Sequence, residues 1–134
     1  MKTKPTLLLC SLVASLLLLP TLPASAYPAA YFSTRQLRVP PAFCLSSAKN
    51  AVKHAGLANI SSGSTYTGGT TNTARAFIVC VSLPKAGPCP NNASAKDGAT
   101  AVFVAAGDNY DETKNLTSVL DTQLGNPVLI DCNL

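Results

Sequence analysis

Charged and aromatic side chains are scarce in this sequence of 134 residues. Charged residues make up 12% of the chain, tryptophan is absent, and His54 is the single histidine. The basic residues are scattered, whereas nucleic-acid-binding proteins cluster lysine and arginine on one surface. We therefore predict no nucleic-acid partner. Zinc ligands usually come in closely spaced pairs, and the cysteines here are far apart, so we also expect no metal and no cofactor.

The sequence also lacks a recognisable catalytic set. His54 falls on the polar side at the end of a predicted helix, where the helix dipole favours a positive charge, and no serine or aspartate is placed beside it. Residues 107–112 contain three carboxylates, but they lack the alternating oxygen ligands of a calcium loop. Acidic residues are expected in the first turn of a helix. We therefore predict no catalytic residues.

The amino terminus has the pattern of a secretory signal peptide. A positive start over Met1 to Lys4 is followed by an apolar stretch from Leu7 to Leu19 and by the small residues Ala24 to Ala26. The pattern predicts a signal peptide over residues 1–26, cleavage after Ala26, and a secreted or periplasmic protein. The apolar run is shorter than the roughly 20 residues of a membrane-spanning helix, so we expect no stable membrane anchor.

Hydrophobic periodicity predicts a single α+β domain over residues 41–134, preceded by an extended N-terminal arm over residues 27–40 that has room for an edge strand. The predicted elements are helices over 41–56 and 109–124 and strands over 59–66, 75–83, 100–106 and 128–132. Hairpins would join the middle three strands. We therefore expect a small antiparallel sheet with two helices on one face, in a ferredoxin-like αβββαβ order.

Four cysteines remain after the predicted signal peptide: Cys44, Cys80, Cys89 and Cys132. An even number of cysteines in an exported chain predicts disulfides, here two. In the expected topology, Cys80 and Cys89 lie at one end of the sheet and Cys44 and Cys132 at the other. This placement predicts a Cys80–Cys89 and a Cys44–Cys132 bridge.

Two loops are the candidate binding surfaces, because rigid scaffolds usually carry function on their loops. Residues 63–73 are rich in hydroxyls and glycine, which predicts a mobile hairpin tip. The candidate ligand residues there are Tyr66, Gly68, Gly69 and Thr70, with Tyr66 as a platform for stacking a sugar or another polar ligand. No lysine follows the glycines, which excludes a phosphate loop, and a plain flexible turn is the alternative. Lys85 is the candidate in the second loop, residues 84–98.

A set of short motifs resembles small exported bacterial proteins of unknown function. The motifs are Cys44-Leu45-x-x-Ala48 opening a helix that ends Ala55-Gly56-Leu57, then Ala76-x-x-x-Cys80, and Val102-Phe103-Val104-Ala105 with Gly107 and Asp108 before a leucine-bearing helix. The likeness spans residues 43–124 and implies a secreted single domain with no assigned activity. Cys89 and Cys132 depart from the group, and a relative with two cysteines would join Cys44 to Cys80 or leave both reduced.

These observations favour an exported, disulfide-stabilised, non-enzymatic domain that binds a protein or an envelope component through its loops and sheet face. One alternative is an inhibitor of an extracellular hydrolase that presents Lys85 beside a disulfide. Another is a small secreted hydrolase, which would require His54 and the carboxylates of residues 108–112 to converge in a cleft. The sequence does not predict an oligomeric state.

Overall fold

The computed structural model describes residues 28–87 and 97–127. Its elements, in chain order, are β1 (Ala29–Leu37), α1 (Pro41–His54), β2 (Ala58–Ser62), β3 (Tyr66–Thr70), β4 (Ala74–Leu83), β5 (Gly98–Gly107) and α2 (Tyr110–Leu124). The predicted signal peptide, the predicted strand over 128–132, Cys89 and Cys132 lie outside the described residues. None of the helices in the described part of the chain is long and apolar enough to cross a membrane.

The five strands form one antiparallel sheet in the order β1-β5-β4-β3-β2. Strands β2 to β5 follow one another as neighbours, and β1 pairs with β5 from Ala29 opposite Gly107 to Leu37 opposite Ala99. The α+β class and the antiparallel sheet with two helices are thus confirmed. The ferredoxin-like αβββαβ order is not confirmed, because four strands rather than three lie between the two helices and the sheet order is that given above. The N-terminal arm does supply an edge strand, which starts at Ala29.

Both helices pack against the same face of the sheet. Helix α1 contacts β3 and β4, α2 contacts β1, β4 and β5, and the helices contact each other. Alternate residues of β4 and β5 are buried beneath them, since successive side chains of a strand point to opposite faces. Many are alanines, which let the helices approach the sheet closely. The buried residues of these two strands are Ala74, Ala76, Ile78, Cys80, Ala99, Ala101, Phe103 and Ala105.

Helix α1 begins and ends as its sequence predicts. Pro41 occupies its first turn, where the missing amide hydrogen is not needed. At the other end Gly56 has a φ of +73°, and the amide of Leu57 donates to the carbonyl of Val52 over 3.3 Å. This is a Schellman ending, and it turns the chain directly into β2.

Helix α2 is fixed at both ends by polar contacts. The side-chain oxygen of Asn109 accepts hydrogen bonds from the amides of Asp111, over 2.8 Å, and Glu112, over 3.3 Å, and so caps the helix. The Glu112 carboxylate does not close a capping box but accepts a hydrogen bond from the hydroxyl of Thr73. At the C-terminal end, the Arg35 guanidinium donates to the carbonyl of Gly125 and lies 3.2 Å from an Asp121 carboxylate oxygen. These contacts tie the end of α2 to β1.

The prediction of a mobile hairpin tip over residues 63–73 is wrong. Its middle, Tyr66–Thr70, is strand β3, which pairs with β2 on one side and β4 on the other. Gly68 and Gly69 are buried there because neighbouring groups occupy the space of a side chain: a Cβ on Gly68 would lie 2.3 Å from both the Ala76 carbonyl oxygen and the Phe77 ring. The glycines therefore serve close packing in the sheet rather than flexibility.

The predicted disulfide pairing is also wrong, because Cys44 bonds with Cys80. Both residues are buried, Cys44 on α1 and Cys80 on the inner face of β4. The error follows from the missed strand β3: one additional strand reverses the direction of β4 and brings Cys80 to the end of the sheet where α1 begins. The observed bond is one of the two states that the resemblance to exported bacterial proteins allowed.

Candidate functional site

The face of the sheet opposite the helices is mostly apolar in its central rows and polar towards its ends, and we refer to it as the open face. Its members alternate with the buried residues along each strand, so they point away from the core. The open face comprises Ala30, Phe32, Thr34 and Gln36 on β1, Thr100, Val102, Val104 and Ala106 on β5, Arg75, Phe77, Val79 and Val81 on β4, and Tyr66, Gly68 and Thr70 on β3.

The strand register arranges the open face in rows that run across the sheet. One row places Phe32, Val104, Phe77 and Gly68 side by side on β1, β5, β4 and β3. The next row contains Thr34, Val102, Val79 and Tyr66 on the same four strands. Because directly opposite side chains on neighbouring strands lie about 5 Å apart, the two rows form one apolar surface rather than isolated contacts.

Several of these side chains are exposed to solvent. Phe32 is 73% exposed, Val81 49% and Tyr66 38%. In most soluble proteins a large contiguous apolar patch marks an interaction site, whereas single exposed apolar residues need no explanation. The open face is contiguous, and Arg75 is its single charged side chain among the described residues.

A cavity of about 400 Å³ lies at the β3 side of the open face. Tyr66 and Phe77 line it and meet edge to face, with ring centres 6.1 Å apart. Polar groups from Asn59, Thr70 and Arg75 line the rest. The site thus combines an aromatic wall with a polar rim, as binding sites in proteins commonly do.

The structure separates the predicted ligand residues. Tyr66, Gly69 and Thr70 line the cavity, whereas Gly68 is covered by the Phe77 ring and does not reach it. Lys85 lies beyond the opposite end of β4 from Arg75, roughly 30 Å away at the rise of an extended strand. Lys85 is therefore not part of the same site.

The Lys85 turn does not have the support that the inhibitor hypothesis assumed. Lys85 is exposed in a turn after β4, with a φ of +58°, and its amide donates to an Asp97 carboxylate oxygen over 3.3 Å. The hypothesis placed a Cys80–Cys89 disulfide beside this loop. Because Cys80 bonds with Cys44 instead, that premise is lost.

The groups that a hydrolase would require lie at helix ends. His54 is exposed at the end of α1, and none of the hydrogen bonds and ion pairs within residues 28–87 and 97–127 joins it to a carboxylate. Asp111 and Glu112 occupy the first turn of α2. Nowhere in the described part of the chain do three or more His, Cys, Asp or Glu residues lie close enough to hold a metal ion.

Comparisons with known proteins assign this chain to no family. No family model, no curated protein and no solved structure matches the chain. The open face is therefore interpreted from its own geometry.

Sequence reasoning named the sheet face as a binding surface but listed only Tyr66, Gly68 and Thr70 of its residues as ligand candidates. The signal for the others was present: residues 75–83 and 100–106 are apolar on both faces, while the two predicted helices suffice to cover one face of a sheet. An apolar second face without a second layer of helices indicates a docking surface.

Proposed function

We propose that the protein is an exported, disulfide-stabilised, non-enzymatic binding domain that docks a protein or an envelope component on its open face. The observation that supports this most is the continuity of the two apolar rows across β1, β5, β4 and β3. Burying apolar surface stabilises an association by roughly 25 cal/mol per Å², and Phe32 and Val81 are already positioned for contact.

The disulfide supports the same function. It joins α1 to the inner face of β4 and so holds the helix layer against the sheet without using any side chain of the open face. A rigid sheet loses little conformational entropy when a partner binds. The hydrolase and inhibitor alternatives gain no comparable observation, because His54 has no carboxylate partner in the described residues and Lys85 has no adjacent disulfide there.

Site-specific photo-crosslinking in the secreting host tests the proposal. The photoreactive residue benzoylphenylalanine replaces Val81 on the open face or, as a matched control, Asn115 on the exposed surface of α2. We expect a covalent protein adduct from position 81 and none from position 115. Adducts at 115 with none at 81 would contradict the assignment of binding to the open face.

A further inference from the structure

We propose that the open face docks onto the open face of a second copy of this chain, so that two sheets pack face to face with their helices outside. This inference rests on the proposed function, since it names the partner of the same surface. Three properties of the face support it: its charge, its shape and its area.

The charge of the open face is compatible with binding to the open face of a second copy. Among the described residues Arg75 is its single charged side chain, and it lies in the row of Ala106 and Thr70 near one end of the strands. The centre therefore has no ionised group that would remain unpaired when buried, and it has no acidic group to pair with a basic partner. Homodimer interfaces have this composition, with an apolar centre and a polar rim.

The shape of the open face allows two copies to meet in register. Strands β1 and β3 lie at equal distances from the boundary between β5 and β4. A two-fold axis along that boundary places β1 of each copy over β3 of the other, at the same row. Phe32, 73% exposed, then lies over Gly68, which the Phe77 ring covers. The protruding ring of one copy thus meets an aromatic ring of the other.

The area available is sufficient for a specific dimer. Strands are about 4.8 Å apart and rise about 3.4 Å per residue. The overlapping parts of β1, β5, β4 and β3 therefore cover roughly 500 Å² per copy as a flat surface, or about 1,000 Å² in total, and the protruding Phe32 and Tyr66 rings add to it. A specific interface should exceed about 1,000 Å². An area near this limit is that of a weak, reversible dimer rather than of an obligate one.

The first test compares two substitutions that each replace an exposed aromatic residue by serine. Phe32→Ser changes the open face, and Phe43→Ser changes the surface of α1, where Phe43 is 38% exposed. Sedimentation velocity at about 100 µM should find the unmodified protein and the Phe43 variant as dimers. Each dimer loses two Phe32 contacts, so Phe32→Ser should weaken dimerisation by about 100-fold or more. Circular dichroism verifies that both variants fold.

The second test probes the register of the two copies by charge complementation. Thr34 on β1 and Tyr66 on β3 lie in one row, so the proposed axis brings them together between copies. Thr34→Glu and Tyr66→Lys should each lower dimer formation when alone. An equimolar mixture should recover it as a heterodimer, because glutamate then faces lysine. Native mass spectrometry distinguishes the heterodimer from either homodimer by mass.

The outcomes separate this inference from the proposed function. A monomer at 100 µM, a dimer that Phe32→Ser leaves intact, or a mixture without heterodimers would overturn the second copy as partner. If position 81 nevertheless crosslinks to a different protein, the proposed function of docking on the open face is supported. Only the inference that the partner is a second copy is then contradicted. A crosslink from position 81 to the chain's own residues beyond 127 would also overturn the second copy.

Discussion

Removing the Cys44–Cys80 disulfide should destabilise the protein by about 4 kcal/mol. The bond closes a loop with a sequence separation of 36 residues, and the chain-entropy model gives about 3.8 kcal/mol for a loop of this length at 25 °C. The double variant Cys44→Ala/Cys80→Ala also removes two buried sulfur atoms, which adds about 1 kcal/mol. In a domain of about 100 residues the loss corresponds to a fall in Tm of about 15 °C or more.

A double-mutant cycle measured by denaturant unfolding checks the pairing as well as its magnitude. Cys44→Ala alone already breaks the bond, so adding Cys80→Ala should cost less than about 1 kcal/mol more. The far-ultraviolet circular dichroism of each variant is followed under non-reducing conditions, and free thiols are counted in the folded state. If the free-energy costs of the two single substitutions add instead, each cysteine bonds to a different residue. Strand β4 would then not run in the direction that brings Cys80 to Cys44.

Three further substitutions test local features of the fold, each by chemical denaturation against the unmodified protein. Gly68→Ala should cost about 1 to 3 kcal/mol, because its Cβ would lie 2.3 Å from the Ala76 carbonyl oxygen; a cost below about 0.5 kcal/mol would mean that β3 and β4 separate easily. Asn109→Ala should cost about 1 kcal/mol through loss of the helix cap, whereas Asn109→Asp, which keeps the acceptor, should retain most of it. Arg35→Met should cost about 1 to 2 kcal/mol, since the aliphatic stem is kept while the contacts to Gly125 and Asp121 are lost; no loss would show that α2 is held by packing alone.

The helices and the long central strands could be predicted from the sequence because local signals there agree with tertiary packing. In α1 an apolar stripe, Pro41 and Gly56 all indicate the same boundaries, and in α2 Asn109 and Gly125 do so. Strands β4 and β5 are long and apolar, and their valine, isoleucine and phenylalanine residues favour strands. Each of these signals lies within a few residues of the structure it specifies.

The errors arose where the structure depends on distant neighbours. Gly68 and Gly69 are usually signs of a turn, but here Phe77 and Leu57 fill the space above them, and no local pattern shows that. Missing this one strand inverted the direction of β4 and so produced the wrong disulfide. The sequence did indicate a sheet face as a binding surface, but the residues of the open face could not be identified for a related reason: exposure of a side chain depends on which face the helices cover, and that is a property of the whole sheet.

The pairing of β1 with β5 has a consequence for how the protein folds. Ala29 lies opposite Gly107, roughly 80 positions later in the chain, and contacts between such distant segments form slowly. Strands β2 to β5 are neighbours in the chain as well as in the sheet, so they can assemble before β1 joins, and the Cys44–Cys80 bond does not include β1. Strand β1, the first to be synthesised, is therefore the last to join the sheet. Its backbone amides should exchange hydrogen with solvent sooner than those of β4.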